Sequence, residues 1–242
     1  MYEGAKFETA VEQLTDDLLT LDLEGVKSDI SGEVGDRTAN MQLSPHEGSI
    51  VYINGNEGDR YFYVSFHYDL IIDLALEFRP SRITEIREAE WAREYSEQNI
   101  RRHVPDDVEL VDGPEHQNLE GESEPRLSRD AIAAALDFVN NVDSDLNEEI
   151  VYNLVDIFSR VPVKFRVHSN ENYDGLTGLT VRNRIFPYEE SFSISKLNNA
   201  IVEVKAPGQM GMLFYQKAFG LNTRDDKPKS ESDGPNRPKI PR

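Results

Sequence analysis

Phe7, Ala10, Val11, Leu14, Leu18 and Leu21 recur at three- and four-residue spacing, the stripe of a helix with one buried face. Gly25 and the pair Ser31-Gly32 end that pattern. From Ser49 the period changes to two. Ser49 to Asn54, the turn Gly55-Asn56-Glu57-Gly58, and Arg60 to Tyr68 read as a β-hairpin. On its second strand Phe62, Val64, Phe66 and Tyr68 share one face, and Tyr61, Tyr63, Ser65 and His67 share the other. The alternation runs on through Leu70, Ile72, Leu74, Leu76 and Phe78, with Asp69, Asp73 and Glu77 opposite. So long a run exceeds an ordinary strand, so the pattern predicts a bend or bulge near Asp69, or a short helix there.

Thr84 to Arg102 turns helical and charged, with only Ile83, Ile86, Trp91 and Tyr95 as an apolar stripe. His103 to Leu127, with Pro105, Pro114, Pro125 and many carboxylates, reads as a solvated linker. Beyond it Ser128 is placed to cap a helix carrying Ile132, Ala135, Leu136 and Val139. Asn147 is placed to cap another, with Ile150, Leu154, Ile157 and Phe158 inward. Strands follow at Val163–His168 and Leu179–Phe186. Ser193 opens a helix through Leu197, Ile201 and Val204, which Pro207-Gly208 is expected to break before a last short helix at Met212–Phe219. The class expected is α+β, antiparallel sheets packed with helices, in two small modules: 1–102 and 128–219, an acidic linker at 103–127, and a disordered Pro-rich tail at 220–242.

Charge adds to this outline. Forty-five acids against 26 bases leave a net charge of −19, and only nine of the bases are Lys. Such self-repulsion loosens a fold in dilute buffer, whereas molar salt screens it within about 3 Å. The composition points to a protein of a halophile, the alternative being an acidic mesophilic protein with a disordered acidic segment. Its surface repels phosphate backbones, which argues against broad nucleic-acid binding. There is no Cys, so disulfides, thiolate nucleophiles and zinc-cysteine sites are excluded. No apolar run reaches the length of a membrane span, and the first residues are not those of a signal peptide. The expected location is the cytoplasm, or a virion assembled there.

Candidate chemistry is sparse. Glu203-Val204-Lys205, with Asp174 upstream, is similar to the metal-dependent nucleases of the PD-(D/E)xK class, in which an Asp and a Glu hold a divalent cation and the Lys stands beside the scissile phosphate. That chemistry requires Glu and Lys on one face of a strand, whereas the apolar positions around them run at helical spacing. Asp174 sits in a Tyr-Asp-Gly turn, where Asp is ordinary turn chemistry. His46, His67, His103, His116 and His168 are isolated in sequence, so no metal site and no cofactor is expected. Tyr61, Tyr63 and His67 form a Tyr-rich sheet face suited to a protein interface, unless a further layer buries it. Arg237, Lys239 and Arg242 concentrate positive charge in the tail, among prolines that favour an extended docking conformation.

The order helix, strands, helix between Ser128 and Phe219 rests on Val163-Lys164-Phe165-Arg166-Val167, on Leu179 to Phe186 and on Ser193 to Val204. It resembles the YbjN and type III secretion chaperone-like group. The resemblance implies a small α+β module that binds peptide segments or partner proteins and has no catalytic residues. The function expected is therefore non-enzymatic, a chaperone-like or assembly role with a protein partner or a second copy of the chain. The metal-dependent nuclease is the alternative.

Overall fold

Leu14 and Leu18 are wholly buried on helix α1 (Tyr2–Thr20), in the stripe the spacing predicts. They belong to a computed structural model that describes residues 2–21, 26–43, 49–104, 108–114, 126–169 and 175–221. A pair of strands that the pattern did not announce follows, β1 (Lys27–Ser31) and β2 (Thr38–Gln42). Their turn depends on Gly32, whose φ of +98° is a left-handed conformation and whose missing Cβ would lie 2.6 Å from the Asp36 carbonyl oxygen. Strands β3 (Ser49–Asn56) and β4 (Phe62–Asp69) form the expected hairpin.

Alternation stops at Asp69. Its carboxylate accepts from the backbone N–H groups of Ile71 and Ile72 and so caps helix α2 (Leu70–Glu77). The short helix prevails because it buries Leu70, Ile71, Leu74 and Ala75 together, a set at helical spacing that draws on both faces of the alternating run. The single charged helix expected next is two, α3 (Pro80–Arg87) and α4 (Glu97–Arg101). Between them the chain is held by Asp137, fully buried on helix α5 (Arg129–Asn140). Asp137 accepts from the Arg93 N–H at 3.1 Å, the Tyr95 hydroxyl at 2.9 Å and the Arg87 guanidinium at 2.6 Å.

The presumed linker is a docked segment at both of its ends. Strand β5 (Glu109–Val111) pairs in parallel with β6 (Arg126–Ser128), and Val104, Val108 and Leu127 are buried. Four apolar side chains, Leu110 included, anchor a stretch whose mean composition is polar. Ser128 caps α5 as predicted, accepting from the Ala131 N–H. Helix α6 (Ser144–Phe158) starts a turn earlier than Asn147 implied, capped by Asp143, and Asn147 is buried within it.

Strands β7 (Lys164–Ser169) and β8 (Leu176–Ile185) complete the main sheet, an antiparallel six-stranded array in the order β1-β2-β3-β4-β8-β7. The class is α+β, but the boundary drawn at 103–127 does not separate two sheets. β4 from one side of it pairs with β8 from the other along its whole length, Phe62 opposite Ile185 through to Asp69 opposite Gly178, and the buried apolar residues of both sides form one core. An unpaired β4 would leave its backbone donors and acceptors unmet beside that core, and β8 supplies them.

Helix α7 runs unbroken from Ile194 to Ala218 with Pro207 inside it. Pro207, Gly208 and Gly211 are buried against the sheet, and a Cβ at Gly208 would lie 2.3 Å from the Phe66 ring. The Pro-Gly pair thus lets a helix lie close on a sheet, and packing outweighs the helix-breaking tendency of about 3 kcal/mol. Phe7 of α1 stacks on Phe62, and Phe158 of α6 on Phe165, so these helices cover the same face of the sheet as α7.

Candidate functional site

Alternation along β4 sends Phe62, Val64, Phe66 and Tyr68 under the helices, each at most 1% exposed. Tyr61, Tyr63, Ser65 and His67 face the other way and stay half-buried. The aromatic and glycine contacts of α1, α6 and α7 with the sheet fall on the opposite face, at Phe62, Phe165 and Phe66, and leave the Tyr61–Tyr63 surface on the other. Residues directly opposite in neighbouring strands share a face, so the register extends the surface. Tyr63 stands opposite Arg184, Ser65 opposite Arg182, and His67 opposite Thr180 on β8. On β7 Lys164 stands opposite Arg182, and Arg166 opposite Thr180. All four cations are exposed, and none is ion-paired with a carboxylate among the described residues.

The tyrosines and arginines order one another. The Tyr61 and Tyr63 rings meet edge to face with centroids 5.1 Å apart. The Arg184 guanidinium lies 4.5 Å from the Tyr61 ring centre, and that of Arg182 lies 5.0 Å from the centre of Tyr63. Arg184 also donates to the Tyr63 hydroxyl from Nε at 3.3 Å and Nη2 at 3.2 Å. That hydrogen bond holds the Tyr63 hydroxyl below the ordinary tyrosine pKa and the Arg184 guanidinium above its own ordinary value. Phe186 continues the aromatic edge, 6.5 Å from Tyr61.

At the far end of the same face Thr180 lies between two histidines, its Oγ1 3.0 Å from His67 Nδ1 and 2.7 Å from His168 Nε2. Burial lowers the pKa of His67, and burial together with neighbouring His67 and Arg166 lowers that of His168 to about 4. Both rings are neutral at pH 7. His103 instead faces Asp69, Nδ1 to Oδ2 at 2.8 Å. No group of three His, Asp or Glu side chains suited to a metal ion occurs among the described residues.

The structure therefore brings Tyr61, Tyr63 and His67 onto one face, with His67 toward its more buried end, and adds Lys164, Arg166, Arg182 and Arg184 to them. The added residues carried a legible signal, cations at every second position of two successive strands in a chain otherwise rich in acids. Arg237, Lys239 and Arg242, like Asp174, His46 and His116, lie outside the described residues. Glu203 and Lys205 stand on α7, where residues two apart diverge by about 200°. Glu203 accepts a hydrogen bond from Asn183, and the strand on which a PD-(D/E)xK centre is built is a helix here.

Fold and site define an α+β protein with an open, cationic, aromatic sheet face. No family model matches the chain, and no curated protein does. One solved structure, an uncharacterized protein from Methanothermobacter thermautotrophicus, is similar at a TM-score of 0.47 and 13% identity, over 87% of this chain and 99% of that one. No helix of the described residues is long and apolar enough to cross a membrane.

Proposed function

We propose that this is a non-enzymatic interaction protein, a chaperone-like or assembly component of a halophile, acting in the cytoplasm or in a particle assembled there. One observation carries the reading: the face of the main sheet turned away from α1, α6 and α7 gathers Tyr61, Tyr63 and the exposed Arg182 and Arg184 in mutual contact. Tyr and Arg are the residue types enriched where protein interfaces concentrate their binding energy, and two rings held by two guanidinium groups lose little freedom on docking. A solvent face with no such task is ordinarily built from scattered polar residues of both signs.

The test is a double substitution, Tyr61→Ala with Tyr63→Ala, on the intact chain expressed in its native host. Circular dichroism and melting temperature are expected to match wild type, because both side chains lie outside the core. The native assembly, followed by light scattering at the host's salt concentration, is expected to lose its partner or its second copy. An unchanged assembly with unchanged folding removes the open face from the function.

A further inference from the structure

The surface chemistry says more than that something docks. Lys164, Arg166, Arg182 and Arg184 lie together on two adjacent strands, with Lys164 directly opposite Arg182. Like charges in that position destabilise a sheet, and among the described residues no carboxylate pairs with them although acids outnumber bases 45 to 26. Cations on an edge strand deter unwanted strand pairing, which accounts for Lys164 and Arg166 on β7. It does not account for Arg182 and Arg184, because β8 is an interior strand. Among the described residues no carboxylate pairs with these four cations, so the face presents positive charge that complements an anionic partner.

We infer that the open face of β4, β8 and β7 binds a short acidic segment of another protein, whose carboxylates pair with Arg182, Arg184, Lys164 and Arg166 while Tyr61 and Tyr63 pack against its apolar stems. This rests on the docking role proposed above and adds the chemistry of the occupant. Charge complementarity selects an anion, and two features select carboxylates on a protein over the phosphates of a nucleic acid. First, bases bind such surfaces by stacking on bare aromatic rings. Here Arg184 lies over Tyr61, and both Arg182 and Arg184 lie over Tyr63, so each ring already has a guanidinium against it. Second, the cationic area is bounded. Asp59 acts on Tyr61 at one end and Asp69 on His67 and His168 at the other, while Asp29 shares the face four strands away on β1, about 19 Å from β8. From Tyr61 to His67 the surface is about 20 Å long. A long polyanion would run off it onto carboxylates, whereas a segment of about six residues fits within it. Molar salt removes attraction beyond about 3 Å, but hydrogen-bonded Arg–carboxylate pairs inside a closed contact persist.

The experiment uses the full chain and two fluorescent probes, a deca-glutamate peptide and a deca-thymidine oligonucleotide, in anisotropy titrations at a salt concentration where circular dichroism shows the fold intact. The peptide is expected to bind wild type and to weaken about tenfold or more in the triple variant Lys164→Ala, Arg182→Ala, Arg184→Ala. The charge-conserving variant Arg182→Lys with Arg184→Lys is expected to bind more weakly than wild type but more tightly than the triple variant, because it keeps the charge and loses the planar fork that stacks on the tyrosines. Circular dichroism of each variant separates lost binding from lost fold. Tighter binding of the oligonucleotide than of the peptide overturns the assignment in favour of nucleic acid. Equal peptide binding by wild type and the triple variant, or no peptide binding at all, overturns it outright. Those failures leave the Tyr61 and Tyr63 assembly result standing, so the docking role and the nature of its occupant are judged separately.

Discussion

Asp137 is the residue on which most of the polar structure between α3 and α5 converges. Its fully buried carboxylate receives the Arg93 N–H, the Tyr95 hydroxyl and the Arg87 guanidinium. Asp137→Ala leaves those donors facing apolar surroundings and is expected to lower the unfolding free energy by about 3 kcal/mol, read from urea denaturation monitored by fluorescence. His168 supplies a pH dependence. Its folded pKa is about 4 against an ordinary value of 6.5, because burial disfavours the charged ring, with His67, Arg166 and His103 opposing its charge and Asp69 favouring it. Between those values the unfolded chain binds more protons than the folded one, so the contribution of His168 is complete above pH 6.5 and is lost as pH falls toward 4. The difference in stability between wild type and His168→Gln should therefore shrink across that interval, and a difference independent of pH would show that His168 does not titrate there. Local signals of this kind were unevenly legible. Ser128 could be read as a cap because a polar residue meets an apolar stripe, whereas Asn147 was misread because Asp143, a turn earlier, does the same work. The cations of β7 and β8 were visible as residues but not as a cluster, because the β7–β8 register places Lys164 beside Arg182.

At the scale of elements, α7 shows where pattern reading fails. A Pro-Gly pair is a break by local propensity, yet here the helix continues because its small residues let it settle onto β4 and β8. Gly208→Ala is the decisive test. By propensity alone the change stabilises a helix by up to about 1 kcal/mol. The added methyl group would meet the Phe66 ring at 2.3 Å, so it is expected to destabilise by about 1–3 kcal/mol instead, read as a lower denaturation midpoint. The same logic explains α2, where Leu70 and Leu74 fit both periods, Ile71 and Ala75 fit the helical one alone, and Asp69 caps the helix. The β1–β2 pair was missed for the opposite reason. β1 is exposed along its length and so shows no alternation of apolar and polar residues.

For the whole molecule the governing quantity is a net charge of −19, with four of the 26 bases clustered on one sheet face. The carboxylates elsewhere repel one another over a Debye length of about 10 Å at 0.1 M salt, and over less than about 3 Å at 2 M. The melting temperature is expected to climb across that range, and calorimetry in NaCl and KCl measures it; a flat curve would remove the argument for salt adaptation. The α+β class was legible from the change of period along the chain. The joining of its two halves was not, because strand partners far apart in sequence leave no mark on either strand.

That joining sets an order of events during synthesis. Asp69 and Gly178, which end as neighbours, are 109 positions apart. At about 5–20 residues per second the ribosome takes roughly 5–20 s to deliver the second after the first. Throughout that interval the nascent chain carries β4 with one open edge and Phe66 and Tyr68 without the helix that shelters them. Open strand edges of this kind recruit other chains. The protein is thus most dependent on its surroundings before it is finished, and a cell short of nascent-chain chaperones should lose it to aggregation while the completed fold remains sound.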